Sequence, residues 1–149
     1  MKLVLDENLG RLATWLRVLG LDTVYLRPGT GPKQKEALAR GRILLSRTGR
    51  KSSGRTLVIE SDDPFDQLRE TLAALSLDPD RLKPFSRCLR CNTPLRPISR
   101  EKAAGTVPDY VLATQSGFKY CPACRKVFWP GTHQARMARR IERLKLEMS

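Results

Sequence analysis

The sequence predicts an α/β protein: an open parallel sheet with helices on both faces, followed by a small metal-stapled ribbon and a basic C-terminal helix. Three observations predict it. Short apolar runs alternate with helical periodicity through the first half, four cysteines fall as two CxxC pairs, and the last stretch carries an apolar stripe among arginines.

The elements follow in order. Leu3 to Leu5 reads as a buried strand, and Leu9, Leu12, Leu16 and Leu19 then recur at spacings of three, four and three, one face of a helix that Gly20 stops. Thr23 to Leu26 is the second strand, KQKEALAR a short polar helix, Ile43 to Leu45 the third strand and Thr56 to Glu60 the fourth. A second strong helix opens with Asp63 as N-cap and Pro64 at the first helical position, then sets Phe65, Leu68, Leu72 and Leu75 on one face. Strands that are apolar on both faces and alternate with helices indicate a parallel sheet covered on both sides.

Pro79, Pro84 and several charges end the periodicity, which places a boundary near residue 82. The expected parts are 1–82, 83–131 and 132–149. Between Arg87 and Pro130, prolines and glycines recur too often for long elements, so this part needs a staple. From Thr132 onward, Met137, Ile141, Leu144 and Met148 form a helical stripe, with Arg136, Arg139, Arg140, Arg143 and Lys145 on the remaining surface.

Composition narrows the function classes. With 40% apolar and 29% charged residues the chain is an ordinary soluble globular protein, but its formal charge of +13 is not ordinary. Residues 1–80 carry 13 Lys and Arg against 11 Asp and Glu, whereas residues 81–149 carry 15 against 4. The C-terminal excess points to a polyanion, nucleic acid before an anionic membrane surface. The apolar start MKLVL is broken by Asp6 and Glu7, and no apolar run approaches the ~20 residues that span a bilayer. The expected location is therefore the cytoplasm.

Cys88 and Cys91 are separated by 29 residues from Cys121 and Cys124. In a reducing compartment that spacing is read as metal ligation rather than disulfides. Each CxxC lies on a tight turn, and two turns give a closed tetrahedron of four sulfurs with no position left for a catalytic water. Zinc in a structural role is the expected ion. Arg125, directly after Cys124, stands where such a turn favours positive φ and glycine. His133, the only histidine, reads as a helix-start residue rather than a ligand.

Carboxylates mark a second site. Asp6 ends the first strand, where open parallel sheets bind ligands, and Glu7 follows it. Asp62 and Asp63 follow the fourth strand and would face the same crevice if strands one and four were neighbours. Converging acids would hold Mg²⁺ or Mn²⁺ for phosphodiester hydrolysis. Asp63 is equally an N-cap, Asp66 a first-turn acid and Glu7 a solvated residue.

The strings LVLDENLGRLATWLRVLGLDTVYL, RILLSR, SDDPFDQL, PFSRCLRCNTPL and YCPACRKVFWPGTHQARM resemble the Mut7-C RNase family, a PIN-like domain fused to a zinc ribbon. The resemblance covers nearly the whole chain. It implies a PIN-like α/β fold, a metal-dependent ribonuclease site built from acids, and an RNA-associated ribbon. The family's strand-one aspartate corresponds to Asp6, and its acidic pair after the fourth strand to Asp62 and Asp63, which would be the catalytic residues. Two further acidic positions are not matched: the second helix opens PGTGPKQKEAL, with Glu36 further in, and Thr48 replaces the aspartate of a Leu-Thr-Arg-Asp signature.

The expected function is accordingly RNA binding, with tRNA or ribosomal RNA as ligand, on a scaffold whose nuclease site is degenerate. An active Mg²⁺- or Mn²⁺-dependent ribonuclease is the alternative, and a ribbon that docks on a protein partner the third reading. The stretch RILLSRTGRKSSGR supports the first, since Arg47, Arg50, Lys51 and Arg55 would turn an acidic rim toward phosphate. Arg136, Arg139, Arg140 and Arg143 of the last helix would add backbone contacts. Phe118, Tyr120, Phe128 and Trp129 read as ribbon core in preference to base-stacking platforms, and Trp15 as a packing residue.

Overall fold

The apolar runs of the first half pair as parallel strands in the computed structural model, which describes residues 1–49 and 55–149. By contact these divide into two compact units, Met1–Asn92 and Thr93–Ser149. The first contains β1 (Lys2–Leu5), α1 (Gly10–Val18), β2 (Asp22–Tyr25), α2 (Pro32–Ala39), β3 (Ile43–Ser46), β4 (Thr56–Val58), α3 (Pro64–Ala74) and a 3₁₀ turn at Pro79–Arg81. The strand order is β2-β1-β3-β4, all parallel.

The order has two consequences. From β1 the chain steps out to β2 and then crosses back to β3, so strand order reverses between β1 and β3, and a ligand crevice is expected beyond their carboxyl ends. It also places β3 between β1 and β4, so the strands that precede Asp6 and Asp62 are not neighbours.

Right-handed crossovers put α1 and α2 on opposite faces. On one face Val4, Leu26 and Leu44 meet Leu38 and Ala39 of α2. Leu3 and Leu5 alternate to the other side of the sheet, where α1 packs with α3. Trp15 of α1 meets Phe65 of α3 edge to face at 5.3 Å, and the Arg69 guanidinium lies 5.6 Å over the Phe65 ring. Leu12, Leu16, Leu68 and Leu72 are fully buried, so the helical stripes in the sequence form the core.

Local chemistry sets the element ends. Asp63 caps α3, its Oδ2 accepting from the amides of Phe65 (2.9 Å) and Asp66 (3.1 Å). β4 stops at Val58, short of Glu60, because the amides of Glu60 and Ser61 donate instead to the Glu70 carboxylate at 2.8 and 3.1 Å.

The first unit runs to Asn92, beyond the boundary expected near residue 82, because the proline-rich segment folds back on the end of α1. The Phe85 amide donates to Val18 O (2.8 Å), and Arg87 Nε to Gly20 O (3.2 Å). Gly20 has φ +85°, and a Cβ there would lie 2.2 Å from Lys83 O. Only glycine satisfies both conditions.

In the second unit β5 (Arg96–Pro97), β6 (Lys119–Cys121) and β7 (Lys126–Phe128) form an antiparallel sheet, joined by α4 (Arg100–Ala103) and α5 (Asp109–Thr114) and followed by α6 (Thr132–Met148). Ala103, Val107, Val111 and Phe118 are its core, with Ile98, Leu112, Val127 and Trp129 packed around them. Phe118 is thus a core residue and Trp129 packs against that core, as the sequence suggests. In α6, Ile141 and Leu144 are buried, while Arg136, Arg139, Arg140 and Arg143 are exposed.

Replacing the α3 cap tests this account: Asp63→Ala is expected to lower stability by about 1 kcal/mol, and Asp63→Ser, which keeps an acceptor, by less. Urea denaturation of the two variants beside the parent measures the difference.

Candidate functional site

At the carboxyl end of β1 lies an open crevice of about 600 Å³, bordered by Glu7, Asn8, Arg11, Tyr25, Asp62 and Gln67. Its lining comes from the loop after β1, the first turns of α1 and α3, and Tyr25 at the end of β2. Gly10, the first residue of α1, also faces it, and a Cβ there would come within 3.1 Å of the Tyr25 phenol. The Tyr25 hydroxyl donates to Glu7 O, which ties β2 to the loop after β1.

The expected catalytic acids differ in their surroundings. Asp6 is only 7% exposed; its amide donates to Leu45 O (3.1 Å) and its carbonyl accepts from Leu9 N (3.0 Å). Glu7, rather than Asp6, is the strand-one acid that borders the crevice. The Asp62 side chain is 93% exposed at the rim, and the Asp63 carboxylate is engaged as the α3 cap. Among the described residues, no three of these acids bring their oxygens together.

Both bordering carboxylates face cations. Lys35 Nζ of α2 lies 3.7 Å from Glu7 Oε2. Arg47, just beyond β3, places Nη2 2.5 Å from Asp62 Oδ1 and donates through Nη1 to Ser61 O. Thr48 turns back on the strand end, its amide donating to Ser46 Oγ (3.2 Å) and the two hydroxyls 3.2 Å apart. Arg55 does not share this rim. A parallel crossover returns the chain to the start of the next strand, so Arg55 precedes β4 at the amino edge of the sheet, its carbonyl accepting from Leu44 N at 2.9 Å. Arg50 and Lys51 lie outside the described residues.

The second site is the cysteine cluster. The sulfurs of Cys88, Cys91, Cys121 and Cys124 all lie within 4.8 Å of one another. Four thiolates at that separation fit tetrahedral zinc, and they fill its coordination. The two turns are alike: Asn92 N donates to Cys88 O (2.9 Å) and Arg125 N to Cys121 O (2.8 Å), with φ of +71° and +57° at Asn92 and Arg125. The positive φ expected at Arg125 is present. Asparagine tolerates that conformation better than most residues.

The family model for the Mut7-C RNAse domain matches residues 1–141. The chain belongs to the Mut7-C RNAse domain family. No curated protein and no solved structure matches it. No described helix of this Mut7-C protein is long and apolar enough to cross a membrane.

Within the first unit of the Mut7-C chain, a polar group surrounds the Cys88–Cys91 turn that the sequence reading missed. Arg17 of α1 donates through Nε to Thr23 O (2.9 Å) and through Nη1 to Leu89 O (3.0 Å) and Arg90 O (3.2 Å). Asn92 accepts from Thr23 N at Oδ1 (2.9 Å) and donates through Nδ2 to Asp22 Oδ1 (2.7 Å), which also receives Arg42 Nη1 at 2.7 Å. Burial lowers the pKa of Arg17, while the sulfurs of Cys91 and Cys88 pull it the other way. For Asp22, burial alone would raise the pKa, but the hydrogen bonds from Arg42 and Asn92 prevail and hold it below the ordinary carboxylate value. Glu70 is lowered in the same manner, burial being outweighed by the amides of Glu60 and Ser61. The available signal was a charge between Leu16 and Val18 on a helix of apolar residues, which periodicity alone assigns to solvent.

Two outcomes are expected. The purified chain should carry one zinc, and Cys121→Ser should lose it to a chelator that leaves the parent loaded, as read by metal analysis. Because Asp22 and Glu70 have depressed pKa values in the folded state, their stabilisation is complete above the unfolded carboxylate range, about pH 4, and is lost as pH falls through the folded values. Urea midpoints should therefore decline below that pH, and less steeply for Glu70→Gln. Comparing the two proteins at each pH cancels the shared loss of metal.

Proposed function

We propose that this Mut7-C protein is an RNA-binding protein whose nuclease crevice is degenerate and takes up phosphate, with tRNA or ribosomal RNA as the ligand. The observation that carries the reading is the pairing of both crevice carboxylates with the chain's own cations, Lys35 with Glu7 and Arg47 with Asp62. A divalent ion held there would have to displace those cations and also shed water, which Mg²⁺ does reluctantly. Just beyond β3, Thr48 offers a hydroxyl where the family implies acid, and Arg47 a guanidinium bonded to Asp62. The strand order and the helices on both faces support a PIN-like assignment for the sheet unit, and the cysteine turns a zinc ribbon after it.

The second unit supplies the electrostatic footprint. Residues 93–149 carry 11 Lys and Arg against 4 Asp and Glu. Arg136, Arg139, Arg140 and Arg143 recur at spacings of three, one and three along α6, which sets them on one side of the helix. Such a row fits successive phosphates of a nucleic-acid backbone, and the cytoplasm is the compartment proposed for it.

An active Mg²⁺- or Mn²⁺-dependent ribonuclease is the second reading, favoured by Glu7 and Asp62 bordering one crevice and by the family itself. The two readings separate on a mixed RNA pool with Mn²⁺. The binding reading expects intact RNA and an affinity that falls steeply with salt, as counterion release requires. Cleavage that Glu7→Gln or Asp62→Asn abolishes would establish the ribonuclease instead, and absence of any nucleic-acid binding at ~100 mM salt would leave a protein-docking ribbon. The double substitution Arg139→Glu with Arg143→Glu should lower the slope of log affinity against log salt by roughly one per lost contact.

A further inference from the structure

We propose that Arg17 and Asn92 are positioning residues for the metal site: from the sheet unit they hold the Cys88–Cys91 turn in its liganding conformation and so set the affinity of the four-cysteine site. The inference is independent of the RNA-binding reading. It rests on where the hydrogen bonds of these two side chains go.

Arg17 reaches the carbonyls of Leu89 and Arg90, the two residues between the cysteines. Those carbonyls belong to the part of the turn whose orientation decides where the two sulfurs point. Asn92 is the positive-φ residue that closes the turn, and its amide group is held on both sides, by Thr23 N and by Asp22 Oδ1. Arg87 completes the frame, its Nη1 donating to Asn92 O (2.8 Å) and its Nε to Gly20 O. The turn is therefore bonded to α1, to the α1–β2 connection and to β2.

Two physical effects favour metal binding in this arrangement. A turn already ordered by the sheet gives up little conformational freedom when it takes a metal, whereas an isolated CxxC must be ordered by the metal itself. The guanidinium of Arg17 also places a permanent positive charge beside the turn, and a divalent ion with four thiolates has a net charge of −2 to be offset. Groups that orient ligands from behind in this way commonly change metal affinity by roughly 10- to 100-fold.

The test uses the full chain, stripped of metal and titrated with Co²⁺, whose absorption reports tetrathiolate coordination, followed by displacement with Zn²⁺. Arg17→Met keeps the apolar stem and removes the donors; Asn92→Gly keeps the positive φ and removes the amide. Each is expected to weaken Co²⁺ affinity by roughly 10- to 100-fold, with the saturated spectrum unchanged because all four sulfurs remain. Arg17→Lys, with one charge and no fork, should fall between. Phe65→Leu loosens the packing of α1 on α3 without touching the turn; it should lower the thermal midpoint and leave the affinity as it is. The proposal is overturned if Asn92→Gly binds Co²⁺ within about twofold of the parent, or if Phe65→Leu loses as much affinity as Arg17→Met. Should Arg17→Met fail to fold, Asn92→Gly decides the matter alone.

Discussion

The peptide groups of Thr23 are the point on which the first unit turns. β2 is an edge strand, so the N–H and C=O that Thr23 directs away from β1 have no strand to meet, yet the residue is fully buried. Each group left unsatisfied there would cost about 1–3 kcal/mol, and an open edge also invites pairing with another chain. Asn92 takes the amide and Arg17 the carbonyl. Closing the sheet and seating the first cysteine turn are thereby one set of bonds, made by side chains that lie far apart in the sequence.

The same topology separates the two candidate sites. Asp22, the first residue of β2, meets the cysteine turn at the amino edge of the sheet, whereas the crevice opens at the carboxyl end of β1. α1 spans the interval: Gly10 at its start faces the crevice and Arg17 at its end holds the turn, seven residues and roughly 10 Å apart. Cys88 and Cys91 of the first turn thus stand at the opposite end from the crevice acids.

What the sequence made legible follows from the range of the forces involved. The strands, the leucine faces of α1 and α3, the Asp63 cap and the backbone at Arg125 are set by neighbours a few residues away, and all appear where periodicity and spacing put them. Strand order is decided by pairing across the chain, so the insertion of β3 between β1 and β4 could not be read from either strand. The parallel direction of β4 is a pairing outcome too, and it is what puts Arg55, just before that strand, at the amino edge. The turn of the acids is likewise tertiary: Asp6 and Glu7 are adjacent, and only the way the loop after β1 enters α1 makes Glu7 the one at the rim. Lys35 and Arg47 came to the crevice acids through the same long-range geometry, as did Arg17 to the cysteine turn. α4 and α5 were hidden for a different reason, being too short for a periodic signal among the prolines and glycines around them.

The segment from Phe85 to Asn92 contains no regular element, yet it completes the sheet. A chain ended at Leu82 would retain every strand and helix of the first unit while depriving Thr23 of Asn92 and Gly20 O of Arg87. The part that can be inherited as a module is therefore longer than the part that looks like one. A recombination point in the proline-rich stretch would carry away the residues that finish the sheet. A segment exchanged in after that point would have to bring its own counterpart of Asn92.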